Sequence, residues 1–336
     1  MRTNMDALLR ERISASFDGK TLRQSLSALC RNLLQEQKTS WRDLCMGYEA
    51  LRSVRVKELR CNGFSVRLHH NPARIKSTTA PVDQKSIEKR PCFLCLENLP
   101  EPQRGILYRE DFIVLCNPFP ICPEHYTIAH ITHGPQSFEG MVSTFLKMTK
   151  DFSPDFNVFY NGPKSGASAP DHLHFQATAR GILPIEKEIV DRARLALIKC
   201  IHTIPLFRVK NVGREVIIME GEDSTAIDGA LTSIVSAMKS VLSSPAEPQM
   251  NLLGSYERNT WRILIFPRQK HRPSVYFLPG NEKILISPGL VEMGGVIVTP
   301  IGKDFDIVDE ELIRKIYMEV SVGEETIQKI LDVLSP

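Results

Sequence analysis

The sequence predicts an α+β fold, and three observations carry the prediction. Apolar residues recur at helical period through residues 1–60, strand-like runs bounded by prolines fill 105–131, and a strand–helix–strand succession occurs once before and once after about residue 185. A chain of 336 residues with 42% hydrophobic and 24% charged content can bury a substantial core, either as two domains or as one large α+β unit.

Taken in order, Leu22, Leu26, Leu29 and Leu33, followed by Trp41, Leu44, Tyr48 and Leu51, mark two or three helices that form an amino-terminal helical cap, residues 1–64. Residues 72–90, rich in Pro, Ser, Thr and Lys, read as a loop. Strands at 113–115 and 126–129 lead to a helix at 137–149 and a strand at 156–160. Residues 184–198 have helical periodicity, and 207–220 give strand signals around Gly213. A helix spans 224–242 with Ile227, Leu231, Ile234, Val235 and Met238 inward, and 251–267 reads as a hairpin. The two successions suggest a duplicated half.

The formal charge of +3, from 42 basic and 39 acidic residues, demands neither nucleic acid nor an anionic membrane as partner. No run approaches the ~20 apolar residues of a membrane span. The first ten residues lack a signal-peptide core, so a cytoplasmic protein is expected. Eight cysteines, scattered apart from Cys92 and Cys95, fit reduced thiols plus a metal pair better than a disulfide framework.

Two constellations carry chemistry. Residues 171–177, Asp-His-Leu-His-Phe-Gln-Ala, are expected as an extended strand with His172, His174 and Gln176 on one face and Leu173, Phe175 and Ala177 on the other. That face offers an imidazole nucleophile, a metal-ligating imidazole and an amide donor for an anionic oxygen, a set suited to phosphoryl or nucleotidyl transfer. The preceding Gly/Ser-rich stretch, including Ser165, Gly166 and Ser168, suits close backbone approach to a phosphate. Earlier, Cys92 and Cys95 have the spacing that brings two thiolates to one zinc, with His125, His130, His133 and His172 as candidates for the remaining ligands.

These motifs resemble the nucleotidyltransferase branch of the histidine triad superfamily, which includes galactose-1-phosphate uridylyltransferases, diadenosine tetraphosphate phosphorylases and GDP-galactose phosphorylases. Asn71-Pro-Ala-Arg74, Asn117-Pro-Phe-Pro120 and Val291-Glu-Met-Gly-Gly295 extend the resemblance over roughly residues 65 to 320. It implies histidine-triad-like antiparallel sheets with packed helices. Residues 65–185 would be the catalytic half with the zinc site, and 186–336 a second half contributing to substrate binding. His174 would be the nucleophile of a covalent nucleotidyl-histidine, and Gln176 a donor to its phosphoryl oxygen. Cys92, Cys95, His172 and His133 would hold a structural zinc, with His130 as the rival for the last place. Arg74, Asn161, Ser165, Gly166, Ser168, Lys270 and Arg272 would bind substrate.

The pattern differs from the family at Asp171, which changes the charge beside the zinc, and at Leu173, where a proline is replaced and regular strand geometry is favoured. The implied donor is a nucleotide sugar or dinucleoside polyphosphate, the acceptor phosphate or a sugar phosphate, and the kinetics ping-pong. A homodimer is expected from the resemblance alone. The alternatives are a hydrolase using the same histidine with water as acceptor, and a non-catalytic nucleotide-binding or zinc-stabilised scaffold.

Overall fold

The computed structural model describes residues 2–20 and 24–334; Leu22 of the expected leucine stripe lies outside them. Fourteen strands occur among the described residues: β1 Ile13–Phe17, β2 Arg55–Cys61, β3 Phe64–His70, β4 Gly105–Tyr108, β5 Phe112–Cys116, β6 His125–His130, β7 Phe156–Asn161, β8 His174–Ala179, β9 Leu195–Ile201, β10 Ile204–Val209, β11 Ile217–Gly221, β12 Met250–Glu257, β13 Thr260–Pro267 and β14 Val296–Thr299. Eleven of them form one sheet in the order β1-β4-β5-β6-β8-β7-β12-β13-β11-β10-β9, and β14-β3-β2 form a second. All neighbours in the large sheet are antiparallel except β1 beside β4.

The order of the large sheet records a repeat. From β4 inward the strands run first, second, third, fifth, fourth, and from β9 inward the second set runs the same way. The two fourth strands, β7 and β12, pair through Asn161↔Asn251 and Val158↔Gly254 and fuse the halves into one sheet. In each half one helix bridges the third and fourth strands, Val142–Asp151 in the first and Ser224–Val241 in the second. The second of these starts at Asp223, whose carboxylate accepts from Thr225 and Ala226 N–H groups otherwise left without partners. The β12–β13 hairpin closes through Arg258 and Asn259, both at positive φ, as a two-residue loop of matching twist requires.

A core lies on each face of this sheet. On one face Leu26, Leu33, Phe145, Phe156, Phe175, Ile227, Leu231, Met238, Ile263 and Ile330 pack the two bridging helices, Leu26–Ser40 and Glu324–Val333. On the other, Phe159, Leu264 and Phe266 meet Val66 and Leu68 of β3, Val296 and Ile297 of β14, and the helix Glu310–Val320. A smaller cluster beside this second core joins Cys92, Leu94, Cys95 and Leu96 to Ile113, Leu115 and Ala129.

Three sequence expectations change. The cap contains strands as well as helices: β1 adds to the edge of the large sheet, and β2 begins the second sheet. Residues 184–198 hold a short helix, Pro184–Glu188, and a 3-10 turn, Arg192–Arg194, before β9, because this half-exposed edge strand does not alternate apolar and polar residues and its spacing imitates a helix. The 137–149 helix starts late, at Val142, after a turn in which the Met141 N–H donates to the Phe138 carbonyl. No helix among the described residues is long and apolar enough to cross a membrane.

Candidate active site

The strand β8 is polar on one face and apolar on the other. Phe175 is fully buried among Phe112, Phe138, Phe145 and Tyr160, with ring centroids 5.7–6.4 Å away, while His174 and Gln176 face a cavity of about 440 Å³ on the opposite side of the sheet. Burying such a ring stabilises the fold by roughly 2–3 kcal/mol, which fixes the register and with it the direction of the two polar side chains. The strand begins at His174, not at Asp171; His172 sits in the preceding turn, so it leaves the face of His174 and enters a different site.

The ring of His174 is buried, which pushes its pKa down to about 4 and keeps it neutral at physiological pH. Its Nδ1 lies 2.8 Å from the carbonyl of His172. A carbonyl only accepts, so Nδ1 carries the proton and the lone pair is on Nε2.

Gln176 is oriented by His125, whose Nε2 is 2.8 Å from Gln176 Oε1. The Ile121 N–H donates to His125 Nδ1, which leaves Nε2 as the protonated nitrogen and fixes the amide with oxygen toward His125. The Gln176 NH2 is then uncommitted. Asn161 is oriented in the same way: its Oδ1 accepts from Asn251 Nδ2 and from the Leu290 N–H, both at 2.7 Å. Asn251 is held in turn by Arg268, which is fully buried with its donors on Asn251 Oδ1 and on the carbonyls of Pro288, Val320, Lys270 and His271. Two amides with pinned oxygens thus line the cavity with His174.

Arg74, Gly166, Ser168 and Arg272 line the same cavity. Gly166, at φ +98°, would place a Cβ 2.4 Å from Gly289 Cα, so only glycine lets the Ser165–Ser168 loop meet the returning segment. Ser165 and Lys270 are elsewhere: Ser165 is fully buried behind the loop, and Lys270 pairs with Glu319 at 2.8 Å on the surface. Arg272 donates to Ser287 Oγ and to the Ala80 carbonyl, and Arg74 to the Phe119 carbonyl.

Cys92, Cys95, His133 and His172 converge, with one donor atom of each within 4.8 Å of the others. The Cys92 Sγ and His133 Nδ1 contacts, at 3.3 Å to His172 Nδ1 and Cys95 Sγ respectively, and the 3.6 Å from Cys95 Sγ to His172 Nδ1, match the ~3.5 Å sulfur–nitrogen edge of a tetrahedron built on usual zinc bond lengths. His172 Nε2 donates to the His130 carbonyl at 2.7 Å, so Nδ1 faces the sulfurs unprotonated. Burial, followed by the neighbouring Cys92, pushes the Cys95 thiol up to about 12, and a bound dication is what relieves two adjacent buried sulfurs of their protons. The four residues fit a structural zinc. His130 supplies only its backbone; its ring is edge-on to Phe112, with Nδ1 at Thr132. His125, also weighed as a ligand, serves Gln176 instead. Asp171 is neutralised by Arg90 at 2.8 Å, so the negative charge beside the metal cluster is compensated.

Sequence reasoning missed Glu292 and Gln136. Glu292 is a buried carboxyl lining the cavity, its pKa raised by burial; it lies in the Val291–Gly295 motif, which was the available signal. Gln136, in a loop with no motif, had none.

Residues 33–179 match a family model described as a domain of unknown function, DUF4922, and residues 203–335 match the GDPGP1-like C-terminal domain. Among curated proteins no sequence matches. The crystal structure of the yeast Ap4A phosphorylase Apa2 is similar, at 14% identity and a TM-score of 0.56 over 84% of this chain and 97% of that one. The same enzyme in complex with Ap4A gives 14% and 0.55 over 87% and 98%. Its complex with AMP gives 16% and 0.52 over 84% and 96%.

Proposed function

For this chain, whose residues 203–335 match the GDPGP1-like C-terminal domain and whose fold is similar to that of an Ap4A phosphorylase, we propose nucleotidyl transfer through a covalent nucleotidyl-His174. The observation that carries the reading is the single fixed tautomer of His174, neutral, in a cavity that it lines together with two oriented amides.

In the first step Nε2 attacks the α-phosphorus of a dinucleoside polyphosphate or nucleoside diphosphate sugar. The Nε2–P bond forms, the bridging P–O bond breaks, and its electron pair leaves with the remaining nucleoside polyphosphate or with the sugar phosphate. The imidazole gains positive charge as the bond forms, and the Nδ1–H to carbonyl hydrogen bond strengthens with it, so the contact favours the transition state over the ground state. The NH2 groups of Gln176 and Asn161 donate to the non-bridging oxygens, and Arg74 and Arg272 offset the phosphate charge. In the second step an oxygen of phosphate or a sugar phosphate attacks phosphorus and Nε2 leaves, neutral again. The likeness to an Ap4A phosphorylase favours a dinucleoside polyphosphate donor with phosphate as acceptor. Zinc, held by Cys92, Cys95, His133 and His172, would be structural, fixing the turn from which β8 starts.

Intact-protein mass spectrometry without acid quench, after incubation with dinucleoside polyphosphates and nucleotide sugars, tests the reading. A nucleotide-sized adduct on wild type and none on His174→Ala is expected. Turnover to free nucleotide without dependence on phosphate would instead favour hydrolysis, and nucleotide binding with no adduct from any donor would sink covalent transfer.

A further inference from the structure

The β7–β8 ladder stops two residues short of His174. Its pairs run Phe156↔Ala179 to Phe159↔Gln176, and the same register makes Asn161 and His174 opposite each other. That pair is not made. The side chain of Gln136 stands between the strands: its Oε1 accepts from the His174 N–H at 2.8 Å, and its Nε2 donates to the Asn161 carbonyl at 2.8 Å and the His174 carbonyl at 3.0 Å. Gln136 is 3% exposed, and its N–H is itself anchored on the Pro170 carbonyl at 3.1 Å. One amide replaces a backbone pair, and both backbone polar groups of the nucleophilic residue end on it.

We propose that Gln136 is the positioning residue of the reaction, a side-chain wedge that sets the backbone of His174 and so aims Nε2 at phosphorus. This rests on the reading of His174 as nucleophile. With a regular ladder, His174 would be held at the β7 spacing and Asn161 would sit directly against it. The wedge parts the two strands at this end and fixes φ and ψ of His174 by hydrogen bonds on both sides, so the Cα–Cβ direction does not depend on a frayed strand terminus. The wedge also belongs to the segment that carries His133, where the Gly134 carbonyl accepts from the Leu173 N–H at 2.9 Å. Burial of three made hydrogen bonds makes the arrangement stiff, since none of them has water to exchange with.

The full chain with its metal is tested as wild type, Gln136→Met and Gln136→Glu. Methionine keeps length and removes every polar atom. Glutamate keeps an acceptor for the His174 N–H but turns its second oxygen toward two carbonyls unless protonated. The first readout is single-turnover adduct formation with diadenosine tetraphosphate, followed by intact mass. Gln136→Met is expected to lower the rate constant about 10²-fold while donor Kd stays within about threefold and the adduct amplitude is unchanged. Gln136→Glu is expected to recover toward wild type as pH falls, and Gln136→Met to show no such recovery.

A purely structural role predicts the opposite split, a reduced amplitude with an unaltered rate constant, and would overturn the proposal. The second readout needs no chemistry: in 15N-histidine spectra the His174 ring is expected as a single Nδ1–H tautomer in wild type and as an exchanging mixture in Gln136→Met. If wild type forms no adduct, the nucleotidyl-transfer reading fails while the ring spectra still judge the wedge; identical His174 signals in all three proteins would refute it.

Discussion

The His172 carbonyl accepts from His174 Nδ1–H at 2.8 Å, while the ring of the same His172 turns Nδ1 toward Cys92 and Cys95 at 3.3 and 3.6 Å. One residue therefore belongs to both constellations, its side chain to the Cys2His2 cluster and its backbone to His174, the proposed nucleophile. A single peptide unit joins the cluster to that histidine.

It follows that losing the metal should disturb His174 without touching it. Cys92→Ser is expected to reduce bound zinc from about one equivalent to near zero, measured by elemental mass spectrometry, because a four-ligand structural site loses a thiolate. The same variant should lower the thermal midpoint and slow adduct formation by about 10–100-fold, the range typical for disturbing groups that orient metal ligands. Full zinc retention in Cys92→Ser would mean that the four residues do not hold the ion together.

The amide of Gln176 should matter to the rate and little to binding. Gln176→Ala removes the proposed donor to the phosphoryl oxygen, and is expected to cost about 10²–10³ in the rate of His174 modification with donor Kd nearly unchanged. His125→Phe leaves the amide in place but frees it to rotate, so a smaller loss of about tenfold is expected from the same measurement. Equal losses from both variants would place the effect in packing around His125, not in the donor.

Much of this site was legible because its residues are adjacent in sequence. The alternation of Phe175 and Ala177 against His174 and Gln176 is a period-two pattern, and the Cys92–Cys95 spacing is set by the reach of two thiolates. The helix over Ser224–Val241 was readable from Ile227, Leu231, Ile234 and Met238, which one buried face requires. What could not be read depends on long-range geometry. His125 and His133 are eight residues apart and chemically alike, yet a strand position against Gln176 and a loop position against Cys95 send them to different tasks. Gln136 meets His174 across 38 residues of chain, and nothing local distinguishes it from a surface glutamine. β9 misled for a physical reason: an edge strand with one half-exposed face need not alternate cleanly.

Gly166 is where the Ser165–Ser168 loop and the returning segment touch. An added Cβ meets Gly289 Cα at 2.4 Å, and Gly289 also donates to the Glu292 carboxylate at 2.9 Å. Gly166→Ala is therefore expected to destabilise the protein by about 1–3 kcal/mol in urea unfolding, from the left-handed backbone and the displaced contact together. Because Leu290 N–H holds Asn161, the displacement should also weaken nucleotide binding, seen as a raised Kd by calorimetry. Unchanged stability and affinity would show that the two segments separate freely.

Glu247 sets a pH dependence outside the chemistry. Its carboxyl accepts from the Phe138 N–H and from Tyr160 OH at 2.9 Å, which favours the charged form, but burial outweighs both and raises its pKa to about 7. The group is harder to ionise folded than unfolded, so the folded state binds more protons between the ordinary carboxyl range and about pH 7. Its contribution is present in full below about pH 4.5 and is lost as pH rises through 7, by at most about 3 kcal/mol and by less where water reaches the carboxyl. Glu247→Gln removes the ionisation and keeps an oxygen for the two donors. Urea unfolding from pH 5 to 8 should thus show wild type losing stability with rising pH relative to the variant, with the two curves diverging most above pH 7; parallel curves would mean that Glu247 ionises normally in the folded protein.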